Sequence, residues 1–216
     1  MRQYNNYFDH SKEMSDQAWD YYYKTKDIVT ENTKTKNSFK NYFSRLSELV
    51  AESYFKQLGH SIIDKEVIGK GNPYDFDLCI NESKKKVEVK CIEFRSKCNP
   101  AANWNFPIPM KGWNKMYDFY KYEQTVDLII LTGFNNRYED KDKGKIIIYG
   151  CITPEEYLNL VDLHQNYKNE DKRAFYYGFG YNLGSERFPL FSEEKGYCCK
   201  LDCLYPLDTY MERLKL

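Results

Sequence analysis

Asp75, Glu88 and Lys90 place two carboxylates and an ammonium on two apolar segments that are close in sequence. The first segment is Pro73-Tyr74-Asp75-Phe76-Asp77-Leu78-Cys79-Ile80, and the second is Val87-Glu88-Val89-Lys90-Cys91-Ile92. Between them lies the polar stretch Asn81-Glu82-Ser83-Lys84-Lys85-Lys86. Apolar ends around a short polar middle predict two antiparallel strands joined by a hairpin loop, with the three lysines at its tip. Residues two apart share a strand face, so Glu88 and Lys90 project together while Val87, Val89 and Cys91 point the other way, into a core. Asp75 and Asp77 likewise share a face of the facing strand, and a tight hairpin brings them close to Glu88. Buried charges are costly unless paired or bound to a metal. Carboxylates that converge repel one another unless a cation sits between them, and oxygen-only donors favour a hard ion, Mg²⁺ or Mn²⁺. Taken alone, Glu88-Val89-Lys90 also fits an exposed edge strand carrying an ordinary ion pair.

Tyr74-Asp75, twelve intervening residues and then Glu88-Val89-Lys90 resembles the motif of the PD-(D/E)xK nuclease superfamily, the restriction-endonuclease-like proteins. A tyrosine separates the proline from the aspartate in Pro73-Tyr74-Asp75, a looseness of the motif. The resemblance makes Asp75 the better match and Asp77 the alternate. It also implies a helix ahead of the hairpin that carries a metal-linked glutamate and ends near a glycine. Ser47-Glu48-Leu49-Val50-Ala51-Glu52, with Leu58-Gly59-His60 after it, is similar to that helix, with Glu48 favoured and Glu52 as the alternate. On this likeness Asp75, Glu88, the Val89 carbonyl and Glu48 ligate Mg²⁺, for which Mn²⁺ substitutes. Lys90 orients the attacking water and stabilises charge on the phosphate. The implied products of DNA cleavage carry a 5′-phosphate.

The elements that must position these groups follow in order. Residues 9–27 read as a helix capped by Asp9 or Ser11, with Met14, Ala18, Tyr21 and Tyr22 at helical spacing; it packs outside the core or serves as a partner-binding face. A polar loop, 30–37, leads to a second helix over 38–58. Its apolar stripe is Phe39, Tyr42, Phe43, Leu46, Leu49, Val50, Tyr54 and Leu58, and Gly59 follows at the C-cap. Glu48 and Glu52 share one side of it, a spacing at which like charges mildly destabilise a helix. Ser61-Ile62-Ile63 through Val67-Ile68 predicts a strand, broken by Gly69, Gly71 and Pro73. Residues 94–112, rich in Pro and Asn, predict a long irregular loop. Its Arg95, Lys97 and Lys111, with Trp104 and Trp113, suit contact with a nucleic-acid strand. A helix is predicted over 113–124; the resemblance implies that it carries a further Lys or Gln near the site, for which Lys115, Lys121 and Gln124 are candidates, and Lys115 is also among the expected DNA contacts. Val126-Asp127-Leu128-Ile129-Ile130-Leu131 predicts a buried central strand. Lys145-Ile146-Ile147-Ile148-Tyr149-Gly150 predicts another. Thr153-Pro154-Glu155-Glu156 predicts a helix start, running to about 165.

The fold class expected is α/β: a restriction-endonuclease-like core with a central mixed β-sheet flanked by helices (αβββαβ), an added N-terminal helix and a C-terminal aromatic-rich extension. A length of 216 residues suits one domain, 1–216. Its core spans about 38–165, with an N-terminal helical appendage over 1–35 and an extension over 166–216 that reads as extra strands. The sequence is 42% hydrophobic, ample for a core. Its 21 tyrosines and 13 phenylalanines are explained by an AT-rich coding genome or by stacking on bases. A formal net charge of zero argues against strong, indiscriminate DNA binding and leaves room for a local basic groove. The seven cysteines lack framework spacing, and Cys198, Cys199 and Cys203 lack the paired Cys-x-x-Cys or added His of a zinc site. His10, His60 and His164 are scattered and read as structural. No apolar run approaches a membrane span and the first residues lack a signal-peptide core, so a cytoplasmic protein without a membrane partner is expected.

The expected activity is metal-dependent, site- or structure-specific cleavage of DNA phosphodiester bonds, restriction or homing type, by a homodimer in which two centres cut two strands. Junction resolution and repair are the alternatives within that chemistry. A catalytically silent nuclease-like module that binds DNA or protein is the alternative outside it. A small-ligand binding protein is disfavoured by the lack of a phosphate-cradling glycine loop.

Overall fold

A computed structural model of the chain describes residues 7–25, 40–64, 74–94, 105–109, 126–135, 145–156, 174–177, 196–200 and 204–214. The described residues form an α/β arrangement. Six strands build a mixed sheet: β1 (Tyr7–Phe8), β2 (Ser61–Asp64), β3 (Phe76–Ile80), β4 (Ser83–Phe94), β6 (Leu128–Asn135) and β7 (Ile146–Ile152), in the order β1-β7-β6-β4-β3-β2. Only the β4–β6 contact is parallel. β5 (Asn105–Pro109), β8 (Ala174–Tyr177) and β9 (Gly196–Lys200) form a separate antiparallel sheet in the order β5-β9-β8. Three helices accompany them: α1 (Lys12–Thr25), α2 (Lys40–Gln57) and α3 (Leu207–Leu214). No helix among the described residues is long and apolar enough to cross a membrane.

The alternation of β3 and β4 decides where the core lies. Phe76, Leu78, Ile80, Val87 and Val89 are buried, and with Leu128 and Ile130 of β6 they join one hydrophobic cluster with Tyr42, Leu46, Leu49, Val50 and Phe55 of α2. Val87 pairs with Leu128 and Val89 with Ile130, so these side chains share a face. Glu88, Lys90 and Asp77 belong to the opposite face. Ile129 and Leu131 on that face are also fully buried, as a central strand of a mixed sheet requires.

α2 ends as its sequence predicts. Gly59, at φ 85°, follows the last turn, Gly59 N–H donates to the Lys56 carbonyl at 3.0 Å and His60 N–H to the Phe55 carbonyl at 3.0 Å. This is a glycine-terminated Schellman cap. Leu58, expected in the apolar stripe, is instead 47% exposed, because it falls after the helix at the start of the turn. α1 starts on Ser11, whose hydroxyl accepts from Met14 N–H at 3.2 Å. It packs on α2 through Trp19 and Tyr42, with ring centroids 4.4 Å apart, and through a Ser15–Tyr42 hydroxyl bond of 3.0 Å. Thr153 and Glu156 form a reciprocal capping box: Thr153 Oγ1 accepts from Glu156 N–H at 3.0 Å, and the Glu156 carboxylate accepts from Thr153 N–H at 3.1 Å. The expected continuation to 165 lies outside the described residues, as do the first loop, 30–37, and the helix over 113–124.

Three expectations are corrected. The hairpin loop is not six residues but two: Ile80 pairs with Ser83, and Lys84, Lys85 and Lys86 belong to β4, opposite Cys79, Leu78 and Asp77. Asn81 and Glu82 hold φ of 45° and 67°, the signs of a type I′ turn, which matches the twist of the flanking strands. Inside the stretch expected to be irregular, 105–109 is a strand, and its two prolines lie in a small sheet outside the main one. The C-terminal part contributes a helix as well as strands. Leu204, Leu207, Tyr210 and Met211 are buried there, and Tyr205 exchanges two backbone hydrogen bonds of 2.9 Å with Cys151.

That docking explains Gly150. Its φ is +144°, and a Cβ there would stand 3.0 Å from Leu204 Cβ and press into the Tyr205 carbonyl. Gly150→Ala is expected to destabilise the protein by more than about 1 kcal/mol, whereas Glu82→Gly, which relieves a left-handed non-glycine residue, is expected to stabilise it by roughly 0.5–1 kcal/mol. Urea denaturation midpoints of the two variants check both signs; a neutral Gly150→Ala would contradict the contact with Tyr205.

Candidate active site

Asp75 stands one residue before β3, and two contacts fix it on β4. Its N–H donates to the Val87 carbonyl at 2.9 Å, and its Oδ2 accepts from Val89 N–H at 2.6 Å. The carboxylate therefore lies directly across from Glu88. Glu88 is 7% exposed, and Lys90 Nζ bonds its Oε1, the same-face pairing that a spacing of two on a strand dictates. The backbone beneath them is held on the other side by β6, where Glu88 pairs with Ile129 and Lys90 with Leu131, and Thr132 Oγ1 donates to the Lys90 carbonyl at 3.0 Å. Asp127 secures the start of this parallel pairing: its Oδ2 accepts from Lys86 N–H at 2.8 Å and its own N–H donates to the Lys86 carbonyl at 2.8 Å.

Glu48 comes from the middle of α2 and is 18% exposed at its side chain. Arg45, one turn earlier and 3% exposed, donates from Nη1 to Glu48 Oε2 at 2.9 Å and lies 3.5 Å from Glu52 Oε1. Lys56 in turn stands 3.3 Å from Glu52 Oε2. Ser47, beside Glu48, donates its hydroxyl to the Cys91 sulfur at 2.9 Å and so ties this part of α2 to β4.

The carboxylates are close enough to feel one another. Burial pushes Asp75 well above the usual carboxylate range; the charges of Glu88 and Glu48 add to that, against the Val89 N–H bond and Lys90. Glu48 is pushed up to about 7, chiefly by burial, with Arg45 opposing and Glu88 and Glu52 adding. Of the trio expected from the sequence, Asp75 and Glu88 stand across one strand pair with Lys90 beside them, and Glu48 is linked to them through its charge. Each acid is turned toward a donor of the protein: Glu48 to Arg45, Asp75 to Val89 N–H, Glu88 to Lys90. In keeping with that, no three His, Cys, Asp or Glu side chains among the described residues close on a point that would hold a metal ion.

The alternates sit nearby. Asp77 is 6% exposed and lies opposite Lys86 across the hairpin, and Lys86 Nζ is 5.7 Å from the centroid of the Tyr74 ring. Glu52 lies between Arg45 and Lys56. Arg95, Lys97, Lys111 and Lys115, expected to contact DNA, lie outside the described residues, as do Lys121 and Gln124. Arg45 was missed by the sequence reading. Its signal was the Arg45-x-x-Glu48 spacing, which places opposite charges one turn apart on a helix. Comparison of the chain with protein-family models, with curated proteins and with solved structures finds no match.

The raised proton affinity of Glu48 has a definite sign for stability. Between the ordinary value of 4.5 and about 7 the folded protein holds more protons on this group than the unfolded chain. Stability therefore falls as pH rises through that window, and the loss is complete above it. Glu48→Gln in metal-free buffer is expected to flatten the decline between pH 5 and 7.5, seen in melting temperature against pH. An unchanged slope would place the titrating group elsewhere.

Proposed function

We propose that this chain is a metal-dependent DNA endonuclease of the restriction-endonuclease-like kind. The observation that carries the reading is Asp75, its Oδ2 bonded to Val89 N–H, standing across from Glu88 on the neighbouring strand, with the amine of Lys90 bonded to Glu88; the charge of Glu48 on α2 adds to the raised proton affinity of Asp75. The element order supports it: α2, then the antiparallel β2-β3-β4 meander, then β6 parallel to β4, agrees with the αβββ and the closing β of the expected αβββαβ, whose second helix lies outside the described residues.

By chemical type the donors suit a hard divalent ion, and the side chains, each now bonded to a donor of the protein, would have to turn to close on it. The side-chain donors are carboxylate oxygens, and a cation would relieve both the burial that chiefly raises the proton affinity of Asp75 and Glu48 and the smaller contribution of the neighbouring acids. Asp75 and Glu88 would hold Mg²⁺ or Mn²⁺ directly with the Val89 carbonyl, and Glu48 directly or through water. A bound ion there supplies a more acidic water and neutralises charge on a phosphodiester. Lys90 holds a proton-donating ammonium at the same spot, where it orients the attacking water and faces the charge that develops on the phosphate. Glu88 keeps that ammonium on the site face of β4. The buried Val87 and Val89 fix the pitch of the strand, so that Glu88 and Lys90 stay on one face.

Within this reading the chain cuts at a site or structure of defined kind and works as a homodimer, two centres serving two strands. Junction resolution and repair use the same chemistry. A second reading, a silent nuclease-like module that binds DNA or protein, is favoured by the way each carboxylate is already engaged by a donor of the protein.

Cleavage of plasmid, four-way junction and single-stranded DNA with Mg²⁺, followed by end mapping, separates these. Asp75→Asn and Lys90→Ala are expected to lower the rate at least about a hundredfold while the fold persists, and Asp77→Asn to cost less than Asp75→Asn. Wild-type rates in both variants would remove the site, and a protein that cuts nothing and binds no Mg²⁺ would leave the silent module.

A further inference from the structure

We infer that the DNA strand under cleavage leaves the site along the charged face of β4, its phosphates meeting Lys86 and then Lys84. This inference rests on the nuclease reading and gives it a path for the substrate. The hairpin register carries it. Lys84 pairs with Cys79 and Lys86 with Asp77, so both stand on the face that Glu88 and Lys90 share, and Lys85 stands on the other. Lys85 accordingly lines a cavity with Leu78, Leu128, Pro154 and Tyr210, and Leu78 and Leu128 belong to the hydrophobic cluster under α2. Three consecutive lysines are thereby divided, two on the site face and one away from it.

The row along β4 is Lys84, Lys86, Glu88 and Lys90. At about 3.3 Å per residue, neighbours in it stand roughly 7 Å apart. That step is comparable with the one between successive phosphates along a nucleic-acid strand. A phosphate beside Lys90 therefore sets the next ones over Lys86 and Lys84. Lys84 is exposed and Lys86 half-buried. Among the described residues neither amine is in an ion pair. Lys86 Nζ lies instead 5.7 Å from the centroid of the Tyr74 ring, within cation–π reach, and Tyr74 is the residue before Asp75. The acids close by are Asp77, buried opposite Lys86, and Glu82, exposed at the turn. An amine with no carboxylate against it keeps its charge for an anion arriving from solvent. The chain as a whole has a net charge of zero, so any attraction for a polyanion has to be local, and this row supplies it.

The test is DNA binding by the full chain in metal-free buffer, read as fluorescence anisotropy of a labelled duplex oligonucleotide over a range of salt concentrations. Lys84→Ala and Lys86→Ala are each expected to weaken binding about five- to tenfold at about 0.1 M salt, and to reduce the slope of log affinity against log salt by about 1. Lys85→Ala removes the same charge from the same strand and is expected to change affinity less than about twofold. In the Mg²⁺ cleavage assay Lys84→Ala is expected to raise KM with kcat unchanged, as does the loss of a contact made equally in ground and transition states. Should Lys86→Ala perturb the hairpin, Lys84→Ala, at an exposed position, carries the comparison with Lys85→Ala. Equal losses for all three lysines, or no loss for Lys84→Ala and Lys86→Ala, would overturn the path and leave the nuclease reading standing. A wild-type chain that binds through Lys84 and Lys86 yet cuts nothing with Mg²⁺ would end the nuclease reading and keep the row as a DNA contact. A wild-type chain that binds no DNA would end both.

Discussion

A carboxylate taken out of water must be answered by positive charge or by hydrogen-bond donors, and here three of them are taken out together. Asp75, Glu88 and Glu48 each carry that requirement, and much of the local structure is its consequence. Val89 N–H answers Asp75, Lys90 answers Glu88 and Arg45 answers Glu48. None of these answers offsets burial, which chiefly raises Asp75 and Glu48, or the smaller push that the acids exert on one another. A group of buried acids held by a rigid sheet has a standing affinity for a cation, and that is the physical basis of the proposed chemistry.

The rigidity comes from β4. It is twelve residues long; residues 83–87 pair antiparallel with β3 and residues 87–94 parallel with β6, the two ladders meeting at Val87. A strand so placed cannot slip by one residue without moving Val87 and Val89 out of the core and Glu88 into it. The apolar face thus sets the register, and the register aims the charged face. α2 packs on the apolar side and brings Glu48 from its own flank, tied down through Ser47 and Cys91.

What the sequence made legible was whatever rested on periodicity and caps. The hairpin strands, α2 with its Gly59 terminus, the apolar β6 and the Thr153 capping box all follow from spacing and from residues with a single strong preference. Where tertiary pairing overrides composition, local pattern misleads. Three lysines in a row look like a solvated loop, yet paired with β3 they take alternate faces of a strand, and the turn tightens to Asn81 and Glu82 at positive φ. The strand holding Pro107 and Pro109 ran against propensity and exists because β9 pairs with it from about ninety residues later in the chain. The two-residue β1 and the docking of α3 on β7 likewise depend on partners that no local pattern announces. The shared face of Glu88 and Lys90 was legible from a spacing of two on a strand and the nearness of Asp75 from the hairpin, while Glu48 entered through the resemblance. Arg45 was not legible, because a basic residue in a helix rich in charge looks like surface, and only packing shows it to be buried.

The central claim is that these acids enclose one divalent ion. Anomalous diffraction from crystals grown with Mn²⁺ tests it most directly. The expected result is a single peak bound at about 2 Å by carboxylate oxygens of Asp75 and Glu88, with Glu48 bound directly or through one water and Lys90 Nζ alongside. A map without a peak at this cluster, or with manganese held elsewhere on the chain, would contradict it.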